Sequence, residues 1–140
     1  IIGYPEENDD DFKNTMELIE KVKFINSYSF IFSPRPGTVA GDRDLVEKKK
    51  SKERLAIIQK KLFNNQIEKN KSLEGKTANV LVENRMKDGI KLFGRTEHMT
   101  SVIFDGDLEN IGKIVQVKIT SSNQNSLFGK LKESYKQKVA

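Results

Sequence analysis

Residue types able to do chemistry are few in this chain. It has one histidine, His98, and no cysteine. Cysteines of this chain therefore hold no disulfide, no zinc and no iron–sulfur cluster. His98 has no cysteine partner and no obvious nucleophile nearby, so it reads as a loop side chain rather than a general base. The most distinctive stretch is SFIFSPRPGT, residues 29–38. Phe30, Ile31 and Phe32 are a short aromatic and β-branched run, which predicts a buried strand. Pro34 and Pro36 then hold Ser33 and Arg35 out of helix, and Gly37 lets the backbone turn or approach a ligand closely. The expected product is a stiff loop at the carboxyl end of a strand, with one guanidinium held outward. In parallel α/β architectures ligands bind at that edge. A plain stiff turn is the alternative, because the loop carries no titratable base and no nucleophile.

The elements around this loop follow from periodicity. Asn8 is a good helix N-cap, and Asp9, Asp10 and Asp11 suit the positive end of a helix, which explains that acidic cluster without a metal. Phe12, Met16, Ile19 and Val22 recur at helical spacing, with Leu18 widening the stripe. A helix from about Asn8 to Val22 leading into a strand at Tyr28–Phe32 makes a strand–helix–strand order, as in a parallel crossover. Leu45 to about Ser72 is the longest helical pattern, with Leu55, Ile58 and Leu62 extended by Phe63 and Ile67, and it is expected to break or fray near Ser51. The run from Lys48 to Lys52 reads as the solvated face of that helix. From Lys76 the period changes to two. Five short strands follow in about 60 residues, with Ala78, Val80 and Val82 on one face of the first and Asp88-Gly89 as a hairpin turn. These predict a small OB-like antiparallel β-barrel that bends at Gly94 and Gly129. The fold class is α+β, with an α/β piece at 1–73 and a barrel at 74–135.

Composition sets the outer bounds. The 140 residues are 36% hydrophobic and 32% charged, and no apolar run approaches the ~20 residues that span a bilayer. The net charge is +5, with 14 Lys/Arg against 12 Asp/Glu in residues 1–73 and 11 against 8 in residues 74–140. That balance permits a polyanionic partner without requiring one. The opening Ile1-Ile2-Gly3-Tyr4-Pro5-Glu6-Glu7, an apolar strand with no run-in and no initiator Met, suggests a piece of a longer protein.

Taken together, the SPRPGT loop and the barrel segments GKTANVLVEN, LFGRTEHMTSVIFDG, IGKIVQVKIT and NSLFGKL resemble the C-terminal part of the radical S-adenosylmethionine tRNA methylthiotransferases. The likeness is strongest to the bacterial type acting on isopentenyl-adenosine, and it covers residues 1–131. The barrel is similar to the TRAM domain that ends these enzymes. The first part would be the C-terminal fragment of a radical-SAM partial barrel. The resemblance implies that Gly3, Glu7 and Ser33 lie on the cofactor side and that Arg35, Gly37 and Thr38 lie on the substrate side. Arg35 favours a tRNA substrate over a ribosomal-protein one. Glu6 departs from the family, standing where a second glycine is common.

For the barrel, the resemblance implies RNA contact through Arg85, Lys87, Lys91, Arg95, His98 and Lys130. Phe93 and Phe128 are possible base stackers, although core packing is the favoured expectation for both. His98-Met99-Thr100 replace the asparagines and second arginine common in the family. The implied reaction is methylthiolation of carbon 2 of the adenine, using S-adenosylmethionine and two 4Fe-4S clusters in the full-length enzyme, neither cluster bound by cysteine of this chain. This chain alone would be inactive. The implied partner is the tRNA anticodon stem-loop, with no membrane, a monomeric state and a cytoplasmic location. Two alternatives stand beside this: a non-enzymatic RNA-binding fragment, and an enzyme acting on threonylcarbamoyl-adenosine.

Overall fold

A computed structural model describes residues 1–87 and 89–132. The chain forms two compact units, Ile1–Gln66 and Ile67–Ala140.

In the first unit, helix α1 spans Asp9–Val22. Its start is a reciprocal cap. Asn8 Oδ1 accepts from the Asp10 and Asp11 amides at 2.8 and 3.0 Å, while the Asp11 carboxylate accepts from the Asn8 amide at 3.0 Å. Such a cap contributes about 1 kcal/mol. The helix stops at Lys23, which takes the left-handed conformation at φ 52°. Ile19 is buried, and with Ile2 and Ile58 it makes a small core flanked by Phe12, Met16, Leu55 and Leu62. Leu18 and Val22, expected on the buried stripe, are exposed. Three buried side chains leave no room for a wider apolar face.

The parallel crossover is present in its minimal form. Ile2 pairs with Ile31 in one parallel bridge: the Ile2 amide donates to Phe30 O at 2.8 Å and the Phe32 amide to Ile2 O at 2.7 Å. The buried strand expected at Tyr28–Phe32 does not form. Phe30 is 63% exposed and Tyr28 83%. A strand buries its faces only against partners, and Ile2 alone pairs with this segment among the described residues. Tyr4 meets Phe32 edge-on, with ring centroids 5.1 Å apart.

Helix α2 spans Lys48–Lys71, so it starts later than Leu45 and does not break at Ser51. Ser51 and Arg54 are both buried. They are the anchors that an apolar count between Val46 and Leu55 does not register.

The second unit is a closed barrel of β1 (Thr77–Arg85), β2 (Lys91–Thr96), β3 (Ser101–Asp105), β4 (Ile114–Ser122) and β5 (Ser126–Leu131), in the order β1-β2-β3-β5-β4. All pairings are antiparallel except β3 with β5. Its core is Val80, Val82, Leu92, Val102, Phe104, Val117, Ile119 and Leu127, each 1% exposed or less. The period-two expectation for Val80 and Val82 therefore holds, and Ala78 packs at the core's edge. Asp88 of the expected hairpin turn lies outside the described residues. Around it, Gly89 has φ 77° and its carbonyl accepts from Arg85 Nε at 2.6 Å.

Gly94 and Gly129 occupy equivalent places in a repeated Leu-Phe-Gly-basic run. Gly94 faces Val82, immediately before an irregularity between Val82 and Asn84; Gly129 faces Ile119, immediately before one between Ile119 and Ser121. A Cβ on Gly94 would collide with Leu81 O and lie 2.6 Å from Val80 Cγ1. One on Gly129 would lie 2.5 Å from Lys118 O. These glycines are where neighbouring backbones close in and the small barrel bends.

Candidate nucleic-acid interface and cofactor-side loop

On the barrel, strand alternation decides what faces outward. Leu92, Gly94 and Thr96 point in, so Lys91, Phe93 and Arg95 point out. Leu127 points in, which turns Phe128 and Lys130 outward. The expectation that both phenylalanines belong to the core is therefore corrected. Two adjacent strand residues cannot share one face, and in each run the leucine took the inside. Register then aligns the outward residues in rows across β2, β3 and β5. One row is Phe93, Ile103 and Phe128, another is Lys91, Asp105 and Lys130, and a third is Arg95, Ser101 and Ser126. The result is a half-buried apolar row between two polar rows. Three of the expected contacts, Lys91, Arg95 and Lys130, share this face.

Arg95 is held in two ways. Its guanidinium carbon lies 5.5 Å from the Phe93 ring centroid, and Nε lies 3.1 Å from Glu83 Oε1. The remaining expected contacts sit at the ends of the face. Arg85 fastens the turn through Gly89 O, and Lys87 is exposed in that turn. His98 is exposed in the β2–β3 loop, with Nε2 3.7 Å from Glu97. Thr96, which had not been singled out, organises that loop. Its hydroxyl accepts from the His98 and Thr100 amides at 3.3 and 3.2 Å. Met99 adopts φ 62° there and is exposed.

The second unit matches a known family: residues 71–132 fit the TRAM domain. Beyond that match, all 140 residues align at 81% identity with a tRNA-2-methylthio-N(6)-dimethylallyladenosine synthase of Pelagibacter ubique, of which they span 31%. A protein of the same description from Ruthia magnifica is 47% identical over 132 residues, 94% of this chain and 30% of its own length. One from Salmonella arizonae is 45% identical over 133 residues, 94% of this chain and 28% of its own length. The chain thus spans less than a third of the curated relatives it matches.

In the first unit the proline loop borders a concavity of about 520 Å³, lined by Ile1, Phe30, Ile31, Phe32, Ser33, Arg35, Thr38 and Ala40. Arg35 is exposed. Thr38 is committed to the loop itself: its hydroxyl donates to Arg35 O at 2.8 Å and accepts from the Gly41 amide at 3.1 Å. Gly37 takes φ 78° with nothing near an added Cβ, so it serves the turn. Gly41, not expected, is the close-approach glycine, since a Cβ there would collide with Arg35 O.

Gly3 and Glu7 lie together, the Gly3 amide donating to Glu7 Oε2 at 2.9 Å, in a turn that does not line the concavity. Glu6 adopts φ 70° in that turn, a conformation that favours glycine, and its carboxylate pairs with Arg43 at 2.9 Å. Glu7 Oε1 accepts from Arg54 at 2.6 Å. Burial works against the Arg54 charge, but Asp9 and Glu7 more than offset it and hold its pKa above the ordinary value. Asp9 is pulled below the usual carboxylate range, first by Lys50 and then by Arg54.

These residues fit one of the implied cofactors. The concavity has the size of a nucleoside site, with aromatic walls, the Ser33 hydroxyl and a guanidinium able to meet a carboxylate. They do not fit an iron–sulfur cluster, for which the chain supplies no thiolate.

Proposed function

We propose that this chain is the C-terminal, tRNA-holding portion of an enzyme that adds a methylthio group to carbon 2 of isopentenyl-adenosine beside the anticodon. The observation that carries this reading is the likeness over all 140 residues to the Pelagibacter ubique relative. In the full-length enzyme S-adenosylmethionine and two 4Fe-4S clusters supply the radical and the sulfur. This chain supplies placement. Ser33 and Arg35 border the concavity that would take a nucleoside group, and the Gly3–Glu7 turn stands on the cofactor side. Acting alone the chain performs no turnover, working as a monomer in the cytoplasm that grips the anticodon stem-loop.

The grip is assigned to the outer face of β2, β3 and β5. Phe93 and Phe128 stack on unpaired bases, and Lys91, Arg95 and Lys130 meet phosphates. The full chain should bind an anticodon stem-loop more weakly as salt rises, because each neutralised phosphate releases counterions. Arg95→Ala should flatten the slope of log K against log salt by about 0.7–0.9. Phe128→Leu should weaken binding about tenfold at every salt concentration, since a stacked base is worth roughly 1–3 kcal/mol. Filter binding across a salt series reads both effects. Wild-type affinity and slope in both variants would remove this face from the RNA site.

A further inference from the structure

Arg54 is the one charged residue that is buried among the described residues, at 3% exposure. Its contacts converge on a single place. Nη1 donates to Glu7 Oε1 at 2.6 Å and to Glu7 O at 3.1 Å, Nη2 donates to Asp9 Oδ1 at 2.6 Å, and the guanidinium carbon lies 5.3 Å from the Phe12 ring centroid. One turn earlier on α2, Ser51 fills the space that a Cβ on Gly3 would need. Lys50 joins Asp9 at 2.9 Å. The Gly3–Glu7 turn is thus clasped from both ends. Glu7 holds the Gly3 amide, Arg54 holds Glu7, and Ser51 covers the bare face of Gly3. Within the turn Gly3 and Glu6 both have φ 70°, a shape that does not hold itself at a glutamate.

We propose that Arg54 is a positioning residue for the cofactor-side turn. It acts through Glu7 to keep Gly3–Glu7 in its left-handed shape, and so sets affinity for S-adenosylmethionine without touching it. The proposal rests on the reading above that this turn stands on the cofactor side. The turn does not itself line the concavity but adjoins it through Ile2, bonded to Phe30 and Phe32, and through Tyr4, which meets the Phe32 ring. The chemistry favours arginine specifically. A planar fork meets a carboxylate, a carbonyl and a second carboxylate at once, whereas an ammonium is a point charge that cannot span them. Two of its three polar contacts go to Glu7 of this turn, and the third goes to Asp9 at the start of α1.

The test uses the full-length enzyme that carries this segment, with Arg54→Lys, Arg54→Met, Glu7→Gln and the Arg54→Lys/Glu7→Gln pair. Melting temperature and iron content report folding, calorimetry reports S-adenosylmethionine binding, and steady-state kinetics separate KM from kcat. Arg54→Lys should retain both clusters and tRNA affinity while binding S-adenosylmethionine about tenfold more weakly, the loss appearing in KM for that cofactor. Glu7→Gln should weaken the same binding, and the pair should be no worse than the poorer single variant. If Arg54→Lys melts lower yet binds the cofactor normally while Glu7→Gln does not, Arg54 is only structural and the proposal fails. If Glu7→Gln folds and binds the cofactor normally, the turn does not face it, and the underlying reading fails instead. If neither Arg54 variant folds, Arg54 is a folding residue and the positioning role is overturned.

Discussion

Arg95 illustrates how one side chain is shared between competing partners. Its guanidinium lies against Phe93 and pairs with Glu83, the residue at the β1 irregularity. Both members of the pair are about one-third exposed, so the pair itself contributes little to stability. Under the proposed RNA contact it would matter more, because a phosphate approaching Arg95 would have to displace or share with a carboxylate. Glu83→Gln keeps the size of the side chain and removes its charge. The variant should bind an anticodon stem-loop a few-fold more tightly than wild type, with a steeper salt dependence and an unchanged melting temperature. Equal affinity in filter binding would mean that Glu83 does not hold Arg95 back. At this scale little of the candidate site was legible beforehand. Arg35, Arg95 and Lys130 stood out by type and setting. Arg54 and Thr96 did not, because their roles depend on partners brought near by folding: Glu7 lies 47 positions before Arg54, and Thr96 works inside a loop that has no hydropathy pattern.

Among the elements, those with a strict period were legible and those relying on distant partners were not. The five strands predicted after Lys76 are all present, since a barrel wall has one wet face and one dry face. Alternation alone could not say whether Leu92 or Phe93 faced inward; the register with β3 decides that. The apolar run at 30–32 misled for the opposite reason, because a buried strand requires neighbours and among the described residues only Ile2 pairs with this segment. The paired glycines give the element-scale prediction. Gly94→Ala and Gly129→Ala each force a methyl group against a carbonyl oxygen of the adjoining strand. Each should cost about 1–3 kcal/mol, as over-packing does. Denaturant unfolding followed by barrel amide signals reads the loss, whereas Gly75→Ala, with no atom within 4 Å of its added Cβ, would test only the strain of its φ of 79°. Wild-type stability in both barrel variants would show that the strands can move apart freely.

For the molecule as a whole, the two units differ in how they are held. Among the described residues the barrel has eight buried core side chains, whereas the first unit has three and leans on ion pairs. Asp9 and Glu20 both sit in that first unit, and both are held below the usual carboxylate range, Asp9 first by Lys50 and Glu20 by its bond from Lys61. A lowered folded-state pKa gives stability that is complete above the ordinary carboxylate value near ~4 and is lost as pH falls through the lowered one. Both carboxylates are exposed, so the effect should be modest and screened by salt. Acidifying the full chain below about pH 4 should therefore raise amide hydrogen exchange in α1 before it does so in β1–β5. Asp9→Asn should blunt that response. Simultaneous loss of protection in both units would argue against the difference.

The parallel contact between β3 and β5 has a consequence in time. β5 is the last strand among the described residues, yet it must lie between β3 and β4 before the barrel has no open side. During synthesis β1, β2 and β3 come first as a sheet with both margins bare; β4 then covers the β1 margin, and the β3 margin stays available to any passing strand until Leu131 has emerged. Closure must also bring Ser101 to Ser126 and Thr77 to Lys118, contacts between residues far apart in sequence, which slows folding relative to a helical unit of the same length. The vulnerable moment in the life of this protein is thus the interval between synthesis of β3 and arrival of β5.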